Sequence, residues 1–310
     1  MINDYRDLLI KSETFKYYID TFGLSSEDLS RSFDGHVSIL ENLKDWRIDN
    51  ILNLDRQFGL KVCEGGVVLD AGCGIGSLTI AEKLRGINII GIENHPASVR
   101  LSRQLASVAG FSEKESYSIF RQGSVEDIPY PENYFSMITC HQVIEHVDNI
   151  VDTIKEFIRV LKPGGMLHID APDYRFPYEP HYRIPYMPFM KKELAKIWLK
   201  EFDKPLSGLS DFHYVSLPHC LGILISVGFE LIQAITTTPE AQIKEQIQAV
   251  LMNNRNNISI NYLTSDPGKI CLLAKEVKKS SVQPKETSFM ILCRKPDKEI
   301  YPGRFNLRAG

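Results

Sequence analysis

The sequence lacks several features that would assign a class of protein at once. None of its six cysteines forms a CxxC pair, and they lie far apart in the chain, at Cys63, Cys73, Cys140, Cys220, Cys271 and Cys293. This spacing argues against a zinc knuckle and against a disulfide framework, and it fits a reducing compartment. We therefore expect a cytoplasmic protein.

Long apolar runs and an excess of one charge are missing as well. No apolar run reaches the roughly 18 residues that a membrane span requires, and Asp4, Arg6 and Asp7 stand where a signal peptide would be apolar. Lysine and arginine total 36, aspartate and glutamate total 39, and the net charge is −3. Such a balance gives no general attraction for a polyanion, so we expect neither a nucleic-acid partner nor a transmembrane segment.

What the sequence does contain is an ordinary globular composition, with 43% hydrophobic and 24% charged residues in 310. Residues 1–60 show helical spacing with aromatic residues at intervals, which predicts an N-terminal helical cap with one long helix over about Val37–Phe58. From there to residue 310, short β-branched runs alternate with amphipathic segments of helical length. This alternation predicts an α/β domain, residues 61–310, with a parallel sheet and crossover helices.

The predicted strands are Val67–Asp70, Ile87–Glu93, Ser118–Arg121, Phe135–Cys140, Met166–Asp170, Phe229–Thr237 and Thr287–Arg294. The predicted helices are Ser77–Leu84, Pro96–Ala109, Asn149–Leu161, Lys191–Glu201, Pro218–Val227 and Glu240–Asn253. Prolines and aromatic residues interrupt this regularity over about 171–216, which we interpret as a lid inserted after the end of a strand. The polar segment Glu276–Glu286 is predicted to be a loop.

A glycine-rich turn follows the first predicted strand. Gly72, Gly74 and Gly76 have the spacing GxGxG, Asp70 precedes the first glycine by two positions, and Glu93 ends the next strand. Glycines permit a tight turn whose backbone amides approach a ligand, and an acid at the end of the second strand can accept both hydroxyls of a ribose. The turn therefore predicts a nucleotide site.

Two classes of nucleotide compete for this geometry. Nicotinamide and flavin sites use GxGxxG, in which the third glycine lies one position later than it does here. A pyrophosphate also disfavours a neighbouring carboxylate such as Asp70, whereas the cationic sulfonium and ammonium of S-adenosylmethionine favour one. The residues favour S-adenosylmethionine, with a nicotinamide-dependent oxidoreductase as the alternative.

The strand, turn and helix at Val67–Leu78 resemble the nucleotide-binding motif of class I S-adenosylmethionine-dependent methyltransferases, in the small-molecule branch that includes ubiquinone biosynthesis. Further segments over about 65–235 match motifs of this family in order: Gly123–Tyr130 (GSVEDIPY), Phe135–Val147 (FSMITCHQVIEHV), Leu161–Leu167 (LKPGGML), His213–Pro218 (HYVSLP) and Ser226–Phe229 (SVGF). The resemblance implies a Rossmann-like, doubly wound sheet of seven mostly parallel strands with an antiparallel last strand.

The resemblance also implies which residues contact the cofactor S-adenosylmethionine and its product S-adenosylhomocysteine: Asp70, Gly72, Cys73, Gly74, Gly76, Glu93, Asn94, Ser124, Val125, Glu126, Cys140 and His141. Asp70 orients the loop, or bonds only within it, and Glu93 holds the ribose. Ser124 stands where the family usually has aspartate, so the backbone of Val125 or the side chain of Glu126 is expected to meet the adenine.

Methyl transfer to an alcohol or phenol requires removal of a proton, for which histidine is suited near pH 7. The candidate bases are His141, His146, His181 and His213, and His141 is preferred because it ends the fourth strand beside the methyl donor. Glu145 and His146 match a motif shared by relatives with different acceptors, so a bracing role is the alternative. No carboxylate and histidine cluster has metal-ligand spacing, so no metal is expected.

The insertion carries Asp173, Tyr174, Arg175 and Arg183, and we expect it to form the acceptor pocket with the N-terminal cap. The expected function is O-methylation of a small polar, glycan-related or lipid-linked acceptor. N- or C-methylation and a non-catalytic S-adenosylmethionine-binding protein are the alternatives. A homodimer remains open as the assembly.

Overall fold

The computed structural model describes residues 2–237, 267–279 and 287–297. Its first 60 residues contain four helices: α1 (Ile2–Ile10), α2 (Glu13–Phe22), α3 (Ser26–Asn42) and α4 (Trp46–Phe58). The single long helix predicted over Val37–Phe58 is wrong. Leu43 takes a left-handed conformation that ends α3, and the Asp45 side chain accepts the Arg47 amide and begins α4.

The centre of the molecule is a sheet of seven strands. Its members are β1 (Val68–Ala71), β2 (Ile89–Glu93), β3 (Phe120–Gln122), β4 (Phe135–His141), β5 (Leu161–Pro172), β8 (Glu230–Thr236) and β9 (Ser288–Arg294). The strand order is β3-β2-β1-β4-β5-β9-β8, and β9 runs in the opposite direction to the other six strands. The predicted fold class, with its antiparallel last strand, is confirmed.

Helices cover both faces of the sheet. They are α5 (Ser77–Leu84), α6 (Pro96–Val108), α7 (Glu113–Ile119), α8 (Ile150–Val160), α10 (Leu217–Val227) and α11 (Pro267–Lys279). The strand predicted over Ser118–Arg121 begins two residues too early, because α7 occupies Ser118 and Ile119. A capping box between Ser112 and Glu115 begins this helix, and that signal was present in the sequence.

The insertion consists of a short hairpin and a helix. Strands β6 (Tyr178–Glu179) and β7 (Ile184–Pro185) pair antiparallel, and α9 (Lys192–Glu201) and a 3₁₀ turn (Ser207–Ser210) follow them. The predicted helix near Lys191–Glu201 is confirmed. Fully buried aromatic side chains fill this part of the core: Tyr174, Phe176, Tyr182, Tyr186, Trp198 and Phe212.

The C-terminal region differs from the sequence prediction in one place. Residues 276–279 belong to α11 and not to a loop, because Ile270, Leu273, Ala274 and Val277 form a buried stripe with helical spacing. The helix predicted over Glu240–Asn253 lies outside the described residues. Among the residues that are described, no helix is long and apolar enough to cross a membrane.

Candidate functional site

The three glycines of the turn after β1 all have positive φ, but their surroundings differ. A Cβ on Gly72 would lie 2.4 Å from a methyl group of Val143, and one on Gly76 would lie 2.5 Å from the ring of Phe120. A Cβ on Gly74 would meet no atom within 4 Å. Packing therefore requires glycine at positions 72 and 76, whereas Gly74 presents its backbone to open space, as a ligand-binding loop does.

Two acids support this turn. Glu93, at the end of β2, accepts the backbone amides of Gly74 at 3.0 Å and His95 at 2.7 Å. Asp70 is buried in β1 and accepts the hydroxyl of Thr79 at 2.5 Å. Burial raises the pKa of Asp70 to about 6, although the Thr79 hydrogen bond and the charge of Arg47 oppose the rise. This bond connects β1 to α5 across the turn, and Asp70 also lines a cavity.

The carboxyl ends of the strands open into two adjoining cavities. Cavity B, of about 520 Å³, is lined by the residues predicted for the adenosine part of the cofactor: Glu93, Asn94, Ser124, Val125 and Glu126. The side chains of Ser124 and Glu126 already accept the amides of Glu126 and Asn149, respectively. Tyr17 and Tyr18 of α2 also line this cavity.

Cavity A, of about 400 Å³, is also lined by the glycine turn. Asp70, Cys73 and His141 line it from the sheet, His36 and Arg47 from the helical cap, and Arg183 from the insertion. The two cavities share the wall formed by Gly72, Gly74, Gln142, His146 and His181. The two cavities therefore adjoin at these residues.

Two of the predicted cofactor residues do not line either cavity. Cys140 is buried within β4, and Gly76 packs between Phe120 and Ser102. Both residues shape the turn and the sheet beneath the site, and their contact to the cofactor stays a prediction.

The four candidate histidines occupy different surroundings. His141 lines cavity A, and both of its ring nitrogens lack a hydrogen-bond partner among the described residues. Burial, followed by the neighbouring His168 and Arg47, holds the pKa of His141 well below its usual range, so the ring is neutral at pH 7. His213 is exposed and lines neither cavity; its backbone amide donates to the Glu145 carbonyl at 2.6 Å.

His146 and His181 meet on the shared wall. Their Nε2 atoms are 3.1 Å apart, and the His181 ring lies between the rings of Phe22 and Phe212. Burial, with His181 next, lowers the pKa of His146 to about 4. Glu145 is fully buried beside them, and burial raises its pKa to about 7.

The sequence contains no carboxylate and histidine cluster with metal-ligand spacing, but folding brings such a group together. Glu145, His146 and His181 each place a potential ligand atom within 4.8 Å of the others. His181 is 35 positions from His146 in the chain, so only the hairpin of the insertion brings it there.

Several site residues were missed in the sequence. Tyr18, His36 and Arg47 line the cavities but belong to no motif, and Gln142 lies in the Phe135–Val147 segment without having been predicted as a site residue. Gln142 directly follows β4 and has a positive φ of 56°, and its position at a strand end was the available signal. The three residues from the cap carry no local signal, because their approach to the site depends on how α2, α3 and α4 pack.

The two arginines predicted to contact the acceptor have different surroundings. Arg175 pairs with Asp173 at 2.6 Å and lines neither cavity. Arg183 lines cavity A and also bonds to α3, through the Asp28 carbonyl and the Ser32 hydroxyl. Tyr174 is buried against Phe212 and Glu179.

The strand order with its antiparallel β9, the glycine turn and the acid that ends β2 together define the class I S-adenosylmethionine-dependent methyltransferase fold. Residues 69–169 match the family described as Methyltransferase domain. The match agrees with the class that the sequence predicted for this segment.

Comparison with known proteins supports the same class. The chain is 33% identical to a sterol 24-C-methyltransferase of Pneumocystis carinii over 33% of this chain and 27% of that protein. It is 35% identical to a ubiquinone biosynthesis O-methyltransferase of Pseudomonas putida over 33% of this chain and 43% of that protein. The matched segment thus spans less than half of either relative, and the two names differ in the atom that is methylated.

A solved structure from Galdieria sulphuraria, provisionally named a sarcosine dimethylglycine methyltransferase, shares the fold. Its TM-score is 0.50 at 16% identity, over 92% of this chain and 99% of that one. At this identity the likeness extends to the fold alone.

Proposed function

We propose that this protein transfers the methyl group of S-adenosylmethionine to an oxygen atom of a small polar acceptor. One observation carries the proposal: the glycine turn, Glu93 and the segment Ser124–Glu126 line one cavity, which shares a histidine-bearing wall with a second cavity. In-line methyl transfer needs donor and acceptor on opposite sides of the moving carbon, and two adjoining cavities supply that arrangement.

In this proposal the adenosyl group occupies cavity B. Glu93 takes the ribose hydroxyls, and the backbone near Val125 meets the adenine. The methionine part crosses the wall at Gly72 and Gly74, where the buried Asp70 carboxylate lies close enough to favour its positive charge. No atom lies within 4 Å of the place that a Cβ on Gly74 would take, so nothing blocks a ligand from approaching the backbone there.

The acceptor then occupies cavity A. A volume of about 400 Å³ suits a small molecule or one end of a larger one. Arg47 and Arg183 line this cavity and favour an acceptor with a carboxylate or phosphate, which agrees with a sugar-linked or lipid-linked substrate. His141 is the proposed base, because it is neutral and its ring nitrogens have no partner in the described part of the chain.

Cofactor binding tests the proposal first. S-adenosylhomocysteine should raise the melting temperature and NADH should not. Glu93→Ala should lower the affinity for S-adenosylhomocysteine, measured by calorimetry, at least about a hundredfold. Two hydrogen bonds to a charged acceptor contribute about 1.5–3 kcal/mol each.

Glu93→Gln, which keeps one acceptor oxygen, should lose less affinity, and the exposed Glu132→Ala should lose none. Stabilisation by NADH alone, or equal affinity in Glu93→Ala and the parent protein, contradicts the assignment. Incubation of extracts and sugar nucleotides with a labelled methyl donor then identifies the acceptor, and the absence of any labelled product would favour a binding protein without catalysis.

A further inference from the structure

Three side chains from two separate segments converge on the wall between the cavities. Glu145 and His146 lie in the turn after β4, and His181 lies in the hairpin of the insertion. The two Nε2 atoms are 3.1 Å apart, and Glu145 Oε1 lies 4.0 Å from His146 Nε2. Two nitrogen ligands and one carboxylate oxygen thus surround one point.

Hydrogen bonds at the far side of each ring determine which nitrogen carries the proton. His146 Nδ1 lies 2.5 Å from the carbonyl oxygen of Asp211, which can only accept. His181 Nδ1 lies 2.7 Å from a carboxylate oxygen of Glu179. Glu179 also accepts the Tyr182 amide and the Tyr174 hydroxyl, so both of its oxygens act as acceptors. Each Nδ1 therefore donates.

The consequence is an electrostatic conflict. If each Nδ1 keeps its proton and neither ring carries a second one, the lone pairs of the two Nε2 atoms face each other across 3.1 Å. Such a pair is repulsive unless a positive species lies between the nitrogens. A metal ion satisfies this requirement, and a proton shared by the two rings is the competing explanation.

Glu145 adds an independent observation. Its side chain is 0% exposed, and neither carboxylate oxygen has a hydrogen-bond partner among the described residues. An unpaired buried carboxylate is unfavourable, and buried charges in proteins are generally paired or bound to a metal. A cation between Glu145 and the two histidines removes both problems at once.

We propose that Glu145, His146 and His181 bind a divalent transition-metal ion of the Zn²⁺ class. Two histidines and one glutamate are the donor set of many catalytic zinc sites, which keep a further position open for water or substrate. Ligands at about 2.05 Å from a tetrahedral ion lie about 3.3 Å from each other, close to the observed separation of the two nitrogens. The bonds to Asp211 and Glu179 are the outer contacts that orient metal-binding histidines.

The location of the proposed metal site indicates which ligand would occupy its open coordination position. His146 and His181 line both cavities, so the bound ion faces the boundary between them. There it would hold an acceptor hydroxyl or carboxylate and lower the pKa of the hydroxyl. This role depends on the proposed methyl transfer, whereas metal binding itself does not.

Metal binding is measured on the chelator-treated protein without cofactor or acceptor. Calorimetry with Zn²⁺ and the visible absorption of Co²⁺ should show one saturable site, and Zn²⁺ at a hundredfold excess over its dissociation constant should stabilise the fold by about 2.7 kcal/mol. Glu145→Gln and His181→Ala should each lower the affinity for Zn²⁺ at least about tenfold. His219 is exposed and lies outside the cluster, so His219→Ala should leave this affinity unchanged.

Glu179→Gln provides a second test, because it keeps the packing but weakens the orienting bond to His181; we expect Zn²⁺ affinity to fall about tenfold or more. Absence of saturable Zn²⁺ and Co²⁺ binding by the parent protein overturns the proposal and leaves a proton shared by the histidines. Unchanged affinity in Glu145→Gln and His181→Ala overturns it as well. S-adenosylhomocysteine affinity measured with and without chelator separates this result from the proposed function, since Glu93 does not belong to the cluster.

Discussion

At the scale of single residues, two neighbouring buried histidines of this site differ in what they face. His141 and His168 are both buried histidines with lowered pKa values, and their ring centroids are 5.2 Å apart. Only His141 lines cavity A. The two rings therefore form a natural pair for separating catalysis from packing.

We expect His141→Gln to lower kcat about a hundredfold with the acceptor that labelling identifies, because the proton of the acceptor loses its base. S-adenosylhomocysteine affinity should change less than about threefold. His168→Gln, the matched control, should retain kcat. A normal kcat in His141→Gln excludes His141 as the base. A loss of cofactor affinity alone would identify His141 as a residue that contacts the cofactor.

Whole elements hold the histidines in place. The hairpin of β6 and β7 carries His181, and Phe22 of α2 and Phe212 stack on its ring. Arg183 ties the same hairpin to α3 through the Asp28 carbonyl and the Ser32 hydroxyl. The cap and the insertion thus order each other above the site.

Arg183→Ala should loosen this hairpin. Hydrogen bonds from an exposed arginine contribute about 1 kcal/mol, so we expect roughly fivefold faster amide hydrogen exchange in residues 178–186. Arg85→Ala is the matched control, because Arg85 makes a similar bond to the Leu43 carbonyl at the other end of α3. Equal exchange in the hairpin of both variants would show that Arg183 does not anchor it.

At the scale of the whole molecule, buried neutral histidines make stability depend on pH. His36 and His168 have pKa values lowered to about 4, mainly by burial, and that of His141 is also lowered. The unfolded chain takes up these protons near pH 6.5, whereas the folded protein does so only near pH 4. Unfolding therefore gains protons between these values, and stability falls as the pH falls from about 6.5 to about 4.

We expect His168→Phe to reduce this dependence. Because His168 is 5% exposed, its contribution to the loss of stability between pH 7 and pH 5 is about 2 kcal/mol. Urea unfolding at both pH values measures the difference. The same loss in the parent protein and in His168→Phe would show that other groups cause the acid sensitivity.

The sequence alone determined the parts of this protein whose signals are local. The GxGxG turn, the acid that ends the second strand and the alternation of strands and helices predicted the parallel sheet and a nucleotide site, because each depends on neighbouring residues and regular spacing. The family resemblance, which rests on local motifs, implied the antiparallel last strand. Errors in this part came from missed local caps, Asp45 before α4 and Ser112 before α7.

Only the tertiary structure decided what lies opposite the glycine turn. Arg47 and Tyr18 reach the cavities from the cap, and His181 reaches His146 from the insertion. The physical reason is that hydrogen bonding and spacing along the chain act over a few residues, whereas a cavity wall depends on how separate helices and hairpins pack.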